Sequence, residues 1–196
     1  MPAADRRAER RTLLIDAAFE LLGTEGSAGT TVRAVCQRTR LNPRYFYESF
    51  EDLDALVVAV YDRVVDELGV TVAVAQESAG KSAASRMRAT IACTVEFVDE
   101  DRRRGRVLYV EALGNEALNR RRIEAGYRVI DAVAGTGAGD ISRVSAAILV
   151  GGLSELLVAW LDGRIDVTRE QLVDDATALF LALGRATAGI ASQRRA

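Results

Sequence analysis

Proline is almost absent from this chain, and this absence constrains the fold more than any other feature. Pro2 and Pro43 are the only two prolines among 196 residues, so no residue after position 43 breaks a helix by lacking a backbone N–H. Alanine, leucine, arginine and glutamate are abundant, and all four favour helices. No pair of strands and no internal repeat is visible. We therefore predict an all-α protein of about nine helices.

Apolar residues recur at helical spacing along most of the chain. The alternating valines of residues 70–74 would also fit a strand, but we place them within the long helix that Asp52 can cap. A capping box of Thr168 and Gln171 opens the last helix. The predicted helices cover residues 6–23, Thr30 or Thr31 to Thr39, Pro43 to about Phe50, a long helix from Asp52, residues 82–101, 103–114, 115–134, Asp140 to Leu161, and Thr168 to about Gly189; residues 24–29 and the glycine-rich residues 135–139 are loops.

Composition excludes several classes of function. The chain has no histidine, and Cys36 and Cys93 stand far apart, which excludes a Cys/His zinc cluster, a Cys–His dyad and a Ser-His-Asp triad. We therefore predict no enzyme, no cofactor and no metal site. The net charge of −2 conceals a basic N-terminal part, because residues 1–50 hold eight arginines against six acids.

Two features bear on location. Residues 1–11 are polar and rich in arginine, without the apolar stretch of a signal peptide, so we expect a cytoplasmic protein. The apolar run of residues 146–161 contains Ser154 and Glu155 and is shorter than the ~20 residues that a bilayer needs. It predicts a buried helix and no membrane partner.

The two short helices around Pro43 carry the strongest functional signal. They are joined by a three-residue turn and are rich in outward arginine, asparagine and tyrosine, which indicates a helix-turn-helix. Arg44 and Tyr45 lie where a recognition helix reads bases, and the helix that starts near Thr31 would bring its amides against phosphate. The candidate DNA contacts are Thr31, Arg33, Arg40, Asn42, Arg44, Tyr45 and Tyr47. Arginines 6, 7, 10 and 11 fit a mobile polar start better than an arm in the minor groove.

Residues 11–60 resemble the N-terminal domain of TetR-family transcriptional regulators. The similarity lies in AAFELL followed by EG, in TTVRAV, and in FYESF followed by Asp52 and Leu56. It implies a helix-turn-helix domain over residues 1–51 and a helical ligand-binding and dimerisation domain over residues 52–196. It further implies a homodimeric repressor that a small molecule releases from a double-stranded DNA operator. It also implies that Thr31, Arg33 and Tyr47 contact the DNA backbone.

The chain departs from the family pattern at two places. The usual Ala-Gly-Val-Ser turn is replaced by residues 39–42, which lack the turn glycine and place Arg40 there. The lysine usual at the start of the fourth helix is Leu53, so one phosphate contact is expected to be missing.

The C-terminal part predicts an effector site and a dimer interface. Aromatic residues on its helices could line a cavity for a small, mainly apolar effector, with Cys93, Glu111 and Asn115 as polar groups, although plain packing explains such residues as well. The candidate effector contacts are Phe97, Tyr109, Tyr127 and Trp160. The last two helices carry more apolar surface than one side needs, which a symmetry mate would cover. The candidate interface residues are Ile148, Gly152, Leu156, Leu179, Phe180 and Leu183.

Two other functions stay open. A helical enzyme would have to use Glu96, Glu111 or Glu155 as its acids. A dimer that binds a ligand or a protein partner could have lost operator recognition, given Arg40 and Leu53. DNA binding that survives physiological salt would separate this second alternative from a regulator.

Overall fold

The computed structural model describes residues 3–135 and 143–193, and every regular element within these ranges is helical. The all-α prediction is therefore confirmed. The elements are α1 (Ala3–Thr24), α2 (Gly26–Gly29), α3 (Val32–Thr39), α4 (Pro43–Tyr47), α5 (Leu53–Ser78), α6 (Ala83–Glu100), α7 (Arg102–Gly105), a π-helical segment (Arg106–Glu111), α8 (Ala112–Gly114), α9 (Glu116–Gly135), α10 (Arg143–Leu161) and α11 (Arg169–Gln193).

The described part of the chain divides into two compact units. One lies within Met1–Asp66 and Asp101–Arg122, and the other lies within Glu67–Glu100 and Ile123–Ala196. The helix-turn-helix therefore shares its unit with a segment that follows it by more than fifty residues. The domain boundary at residue 51 stays a prediction.

The core of the first unit follows the predicted helical spacing. Leu14, Ala18 and Leu22 lie one helical turn apart on α1 and are fully buried. Val35 from α3 and Phe46 from α4 are also fully buried. The apolar faces of α1, α3 and α4 are therefore packed away from water, which stabilises the short helices α3 and α4 that would not form alone.

Two local predictions for this unit were wrong. The predicted loop of residues 24–29 contains the four-residue helix α2. The single helix predicted over residues 103–114 is divided by a six-residue π-helical segment, a rare geometry that periodicity of apolar residues cannot reveal.

The segment of residues 102–111 packs very closely against the end of α1. A Cβ atom built on Gly23 would lie 2.4 Å from Cβ of Arg103, so only glycine fits. The Arg106 guanidinium donates to the carbonyl of Thr24 at 3.0 Å. The segment is therefore fixed to the end of the first helix by both shape and hydrogen bonding.

A largely buried carboxylate completes this contact. Oε2 of Glu111 accepts hydrogen bonds from the backbone N–H of Ser27 at 2.7 Å and from its hydroxyl at 2.9 Å. Oε1 accepts from Arg106 at 3.0 Å. Gly26, with φ of 75°, occupies left-handed backbone beside this carboxylate. Glu111 therefore stabilises the irregular chain between α1 and α3.

In the second unit, α6 and α11 pack together. Ile91 and Val95 of α6 and Leu172 of α11 are buried. Arg88 forms an ion pair with Asp174 across the two helices. The predicted capping box is confirmed, because the Thr168 N–H donates to Gln171 at 2.9 Å and the Gln171 N–H donates to the Thr168 hydroxyl at 3.2 Å. Residues 136–139 of the predicted loop and the cap predicted at Asp140 lie outside the described residues.

The helix α10 is less buried than predicted. Among the described residues, it is the one helix long and apolar enough to cross a membrane, and 22% of its most apolar window is buried. Its buried residues are Ser145, Ala146, Leu149 and Leu157. The prediction of a buried helix is therefore wrong for most of α10 within a single chain.

We predict opposite effects for the same substitution at two helical glycines. Gly23→Ala should destabilise the protein by ~1–3 kcal/mol, since the added methyl overlaps Arg103. Gly69→Ala is the control, because its Cβ would meet nothing within 4 Å and alanine should gain about 0.5–1 kcal/mol over glycine in a helix. Urea unfolding measures both. Equal shifts at the two positions would contradict the close packing of residues 102–111.

Candidate nucleic-acid interface

The start of α3 presents groups that suit a phosphate. Thr31, one of the two threonines at which α3 was predicted to start, is the N-cap, and its hydroxyl oxygen accepts from the Ala34 N–H at 3.1 Å. Arg33, in the first turn, is exposed and makes no hydrogen bond or ion pair with any other residue that the structure describes. Its guanidinium is therefore available to an external anion at the positive end of the helix.

The turn between α3 and α4 keeps a regular geometry without its glycine. Arg40 adopts φ of 55°, the only positive φ of a non-glycine residue in the described ranges. Its N–H donates to the Gln37 carbonyl at 3.3 Å, and the Leu41 N–H donates to the Cys36 carbonyl at 3.1 Å. This pair of bonds is a Schellman motif, in which glycine usually takes the position of Arg40. The arginine therefore completes the turn at a cost in backbone strain.

The recognition helix α4 is shorter than predicted but begins as predicted. Asn42 is the N-cap and accepts from the Arg44 N–H at 2.9 Å, while Pro43 occupies the first turn. The helix ends at Tyr47 instead of near Phe50. Phe50 is nonetheless buried, and its ring lies 6.1 Å from the ring of Phe46. Two buried phenylalanines thus anchor one side of α4.

The opposite side of α4 faces solvent. The Arg44 side chain is 83% exposed and forms an ion pair with Glu48 at 3.0 Å. Tyr47 is 61% exposed and Tyr45 is 38% exposed. The structure therefore places the predicted base-reading side chains together on one accessible surface.

Arginines of α1 lie against the far end of α4. Arg7 donates to the Glu48 carbonyl at 2.5 Å, and Arg11 donates to the Ser49 carbonyl at 3.1 Å. The Arg10 guanidinium lies 4.5 Å from the centre of the Tyr45 ring. The interpretation of these three arginines as a mobile polar start is therefore wrong. Their spacing on one helix face was the available signal, but the sequence did not show what they contact.

A shallow groove runs along this surface beside the turn. Cys36 is buried at its base, and burial raises the pKa of its thiol, so the thiol stays protonated near neutral pH. The groove is lined by Val32, Arg33, Cys36, Gln37, Arg40, Leu41, Pro43 and Tyr47.

The predicted effector contacts have different surroundings. Tyr109 belongs to the first unit, where desolvation and then the nearby Tyr61 raise the pKa of its phenol. Phe97 and Trp160 belong to the second unit, where Phe97 is buried and the indole N–H of Trp160 donates to the Val167 carbonyl at 3.0 Å. Tyr127 is exposed. Their contact with an effector stays a prediction.

Two of the predicted polar groups take part in structural contacts. Glu111 accepts from Ser27, as described above, and Asn115 accepts from the Leu118 N–H at 2.9 Å at the start of α9. The carboxylate of Glu111 and the amide oxygen of Asn115 thus both already accept hydrogen bonds within the protein.

The predicted dimer residues lie on α10 and α11 of the second unit. Ile148 is 56% exposed and Leu179 is 68% exposed. Gly152 is exposed, while Leu156, Phe180 and Leu183 are half-buried. The role of these six residues in an interface stays a prediction.

Comparison with known proteins agrees with this geometry. Residues 14–60 match the family model of bacterial regulatory proteins of the tetR family. This region of the chain is therefore similar to the N-terminal domain of TetR-family regulators. A curated relative, the HTH-type transcriptional regulator BetI of Paraburkholderia xenovorans (strain LB400), is 30% identical over 96 residues, which are 49% of each chain. The chain thus matches about half the length of this relative.

Solved structures show that the likeness of fold extends beyond the TetR-type helix-turn-helix. A transcriptional regulator from Rhodococcus sp. Rha1 superposes with a TM-score of 0.75 at 16% identity, covering 90% of this chain and 96% of that one. A TetR family transcription regulator from Marinobacter aquaeolei VT8 gives a TM-score of 0.70 at 16% identity, covering 92% of this chain and 97% of that one.

The strained turn generates a prediction. Arg40→Gly should stabilise the protein by about 0.5–1 kcal/mol, because glycine adopts positive φ without the steric cost that arginine bears. Arg40→Val is the control: it also removes the guanidinium but adds a branched Cβ to left-handed backbone, so it should destabilise. Thermal unfolding of both variants measures the difference, and a less stable glycine variant would contradict the account of the turn.

Proposed function

We propose that this protein is a sequence-specific transcriptional regulator that binds a palindromic DNA operator as a homodimer. The observation that carries the proposal is the surface of α4, where Arg44, Tyr45 and Tyr47 are exposed while Phe46 is buried beneath them. A guanidinium can donate two hydrogen bonds to guanine in the major groove, and the phenols can contact bases or phosphates.

The start of α3 supports this docking. Arg33 and the amides near Thr31 suit phosphates on either side of the groove, while α4 enters it. Arg40 and Asn42 lie in the turn between α3 and α4. In this proposal they contact the DNA backbone beside the groove that α4 enters. The regular turn also counts against lost operator recognition, because with Arg40 in place of the usual glycine the turn still forms the two hydrogen bonds of a Schellman motif.

The first experiment separates base reading from phosphate contact. Arg44→Ala should cost ~1–3 kcal/mol selectively at one base position of each half-site. Arg33→Ala should weaken binding to all duplexes alike and flatten the dependence of affinity on salt. Selection from random duplexes, followed by affinity measurements at several salt concentrations, tests both. If the unmutated protein enriches no sequence, or binds only below physiological salt, the proposed function is wrong.

A homodimer is proposed through α10 and α11. Their exposed apolar residues include Ile148 and Leu179, and an isologous pairing would cover both copies of this surface at once. Two helix-turn-helix units would then contact successive major grooves ~34 Å apart, which a palindromic operator matches.

A charge at this surface should separate the subunits. Leu179→Glu should give monomers and abolish operator binding together, because a carboxylate would be buried without a partner. Leu113→Glu is the control, since Leu113 is 62% exposed on α8 and lies in the other unit. Sedimentation at micromolar concentration measures both. An unmutated monomer, or unmutated protein that partitions into membranes through α10, would contradict the interface.

The protein is further proposed to be a repressor that a small, mainly apolar effector releases from DNA. The inward face of α6, including Ile91, Val95 and Phe97, is apolar, which disfavours a sugar phosphate as the effector. The unbroken helix α5 begins three residues after Phe50 and ends in the second unit, so a tilt of α5 would move α4 relative to its symmetry mate. Tyr109, Tyr127 and Trp160 remain proposed contacts.

Reciprocity tests the effector. A family-typical coupling of ~1–3 kcal/mol would lower operator affinity, and bound operator must lower effector affinity by the same factor. Trp160 is the only tryptophan, so its fluorescence reports binding in the second unit. A panel of apolar compounds is titrated with and without saturating operator. Equal affinities in the two titrations would show that the compound does not act as a switch.

A further inference from the structure

Three arginines of α1 form a cluster whose role the DNA contacts do not explain. Arg7, Arg10 and Arg11 lie at positions i, i+3 and i+4, so one face of the helix presents all three. We call this cluster the α1 brace. Two of its members donate to the carbonyls of Glu48 and Ser49, which follow directly after α4.

The α1 brace supplies hydrogen-bond donors to the C-terminal end of the recognition helix. A five-residue helix leaves most of its carbonyls without partners inside the helix, and cations near its C-terminal end are favourable. The Arg10 guanidinium lies over the Tyr45 ring at 4.5 Å, and the Arg11 guanidinium lies over the Phe50 ring at 4.1 Å. The brace thus contacts both the exposed face and the buried side of the region around α4.

Glu48 connects the brace to the base-reading side chain. Its Oε1 accepts from Nε of Arg44 at 3.0 Å, and its Oε2 lies 3.6 Å from Nη2 of Arg10. One carboxylate therefore orients a guanidinium from each helix. Because Glu48 accepts from Nε and the Arg44 side chain is largely exposed, the Nη groups of Arg44 stay accessible to DNA.

We propose that the α1 brace positions the recognition helix and that Glu48 raises its selectivity by holding Arg44 in the orientation that reads guanine. A correctly placed guanine accepts two hydrogen bonds from the Nη groups of Arg44 while Nε keeps its bond to Glu48, so an oriented guanidinium favours guanine over a wrong base or a lone phosphate. Arg7, Arg10 and Arg11 are positioning residues in this account, and none of them enters the minor groove. The inference rests on the proposed DNA-binding function.

The first test compares two identical changes of charge. Glu48→Gln and Glu51→Gln each remove one carboxylate close to α4, but no hydrogen bond or ion pair joins Glu51 to another residue in the described ranges. Both variants should bind random duplexes more tightly. Only Glu48→Gln should lower the ratio of affinities for the selected duplex and a random duplex, by roughly threefold to tenfold, the scale of exposed ion pairs in two subunits. Equal ratios in the two variants would overturn the role of Glu48.

The second test distinguishes a brace from an arm in the minor groove. Arg10→Ala should lower the same ratio while leaving the salt dependence of binding unchanged, because Arg10 contacts the protein. Arg10→Lys retains a cation near Tyr45 and Glu48 and should restore part of the ratio. If Arg10 contacts DNA instead, Arg10→Ala should weaken all duplexes alike and reduce the salt slope by about one per subunit. That second pattern would overturn the brace.

The two levels of the proposal fail in different ways. If the unmutated protein enriches no duplex, the proposed function is wrong. If it enriches one, and Glu48→Gln and Arg10→Ala leave the affinity ratio unchanged, only the inference about the brace is wrong. Circular dichroism establishes that each variant is folded, and Glu48→Gln decides the question if Arg10→Ala does not fold.

Discussion

The recognition helix α4 has five residues, too few for a helix that is stable in water by itself. Its position therefore depends on contacts made at each end and beneath it. Asn42 caps its start, Phe46 fixes its buried side, and the arginines of α1 hold the carbonyls that follow it. These contacts leave Arg44 and Tyr47 accessible to solvent. The contacts that stabilise this short helix thus leave free the side chains that are proposed to read DNA.

The chain around α2 and α3 is held in a comparable way by a distant segment. Residues 102–111 pack on the end of α1, where Gly23 permits an approach that any Cβ would block. Glu111 then accepts hydrogen bonds from the N–H and the hydroxyl of Ser27, which hold the irregular chain before α3 in place. These contacts explain why the helix-turn-helix belongs to a larger compact unit than its own sequence motif.

The sequence revealed what is local and periodic. The helix starts near Thr31 and at Pro43 and the capping box of Thr168 and Gln171 follow from residue type and spacing, and the structure confirms them. It did not reveal the contact of Ser27 with Glu111, since 84 residues separate the two, nor the π-helical segment that brings Glu111 there. The contacts of Arg7 and Arg11 with the carbonyls of Glu48 and Ser49 were not predicted for the same reason. Polar contacts between distant residues depend on tertiary placement, which periodicity does not encode.

We propose that two copies of α4 read one operator in successive major grooves. Hydroxyl-radical footprinting on a duplex enriched by the protein measures this, because protection maps backbone contacts at single-nucleotide resolution. We expect two protected regions of equal size, related by a dyad, with centres one helical turn of ~34 Å or a whole multiple of it apart. A single protected region, or protection spread evenly along the duplex, would show that only one copy of α4 binds or that binding is not specific.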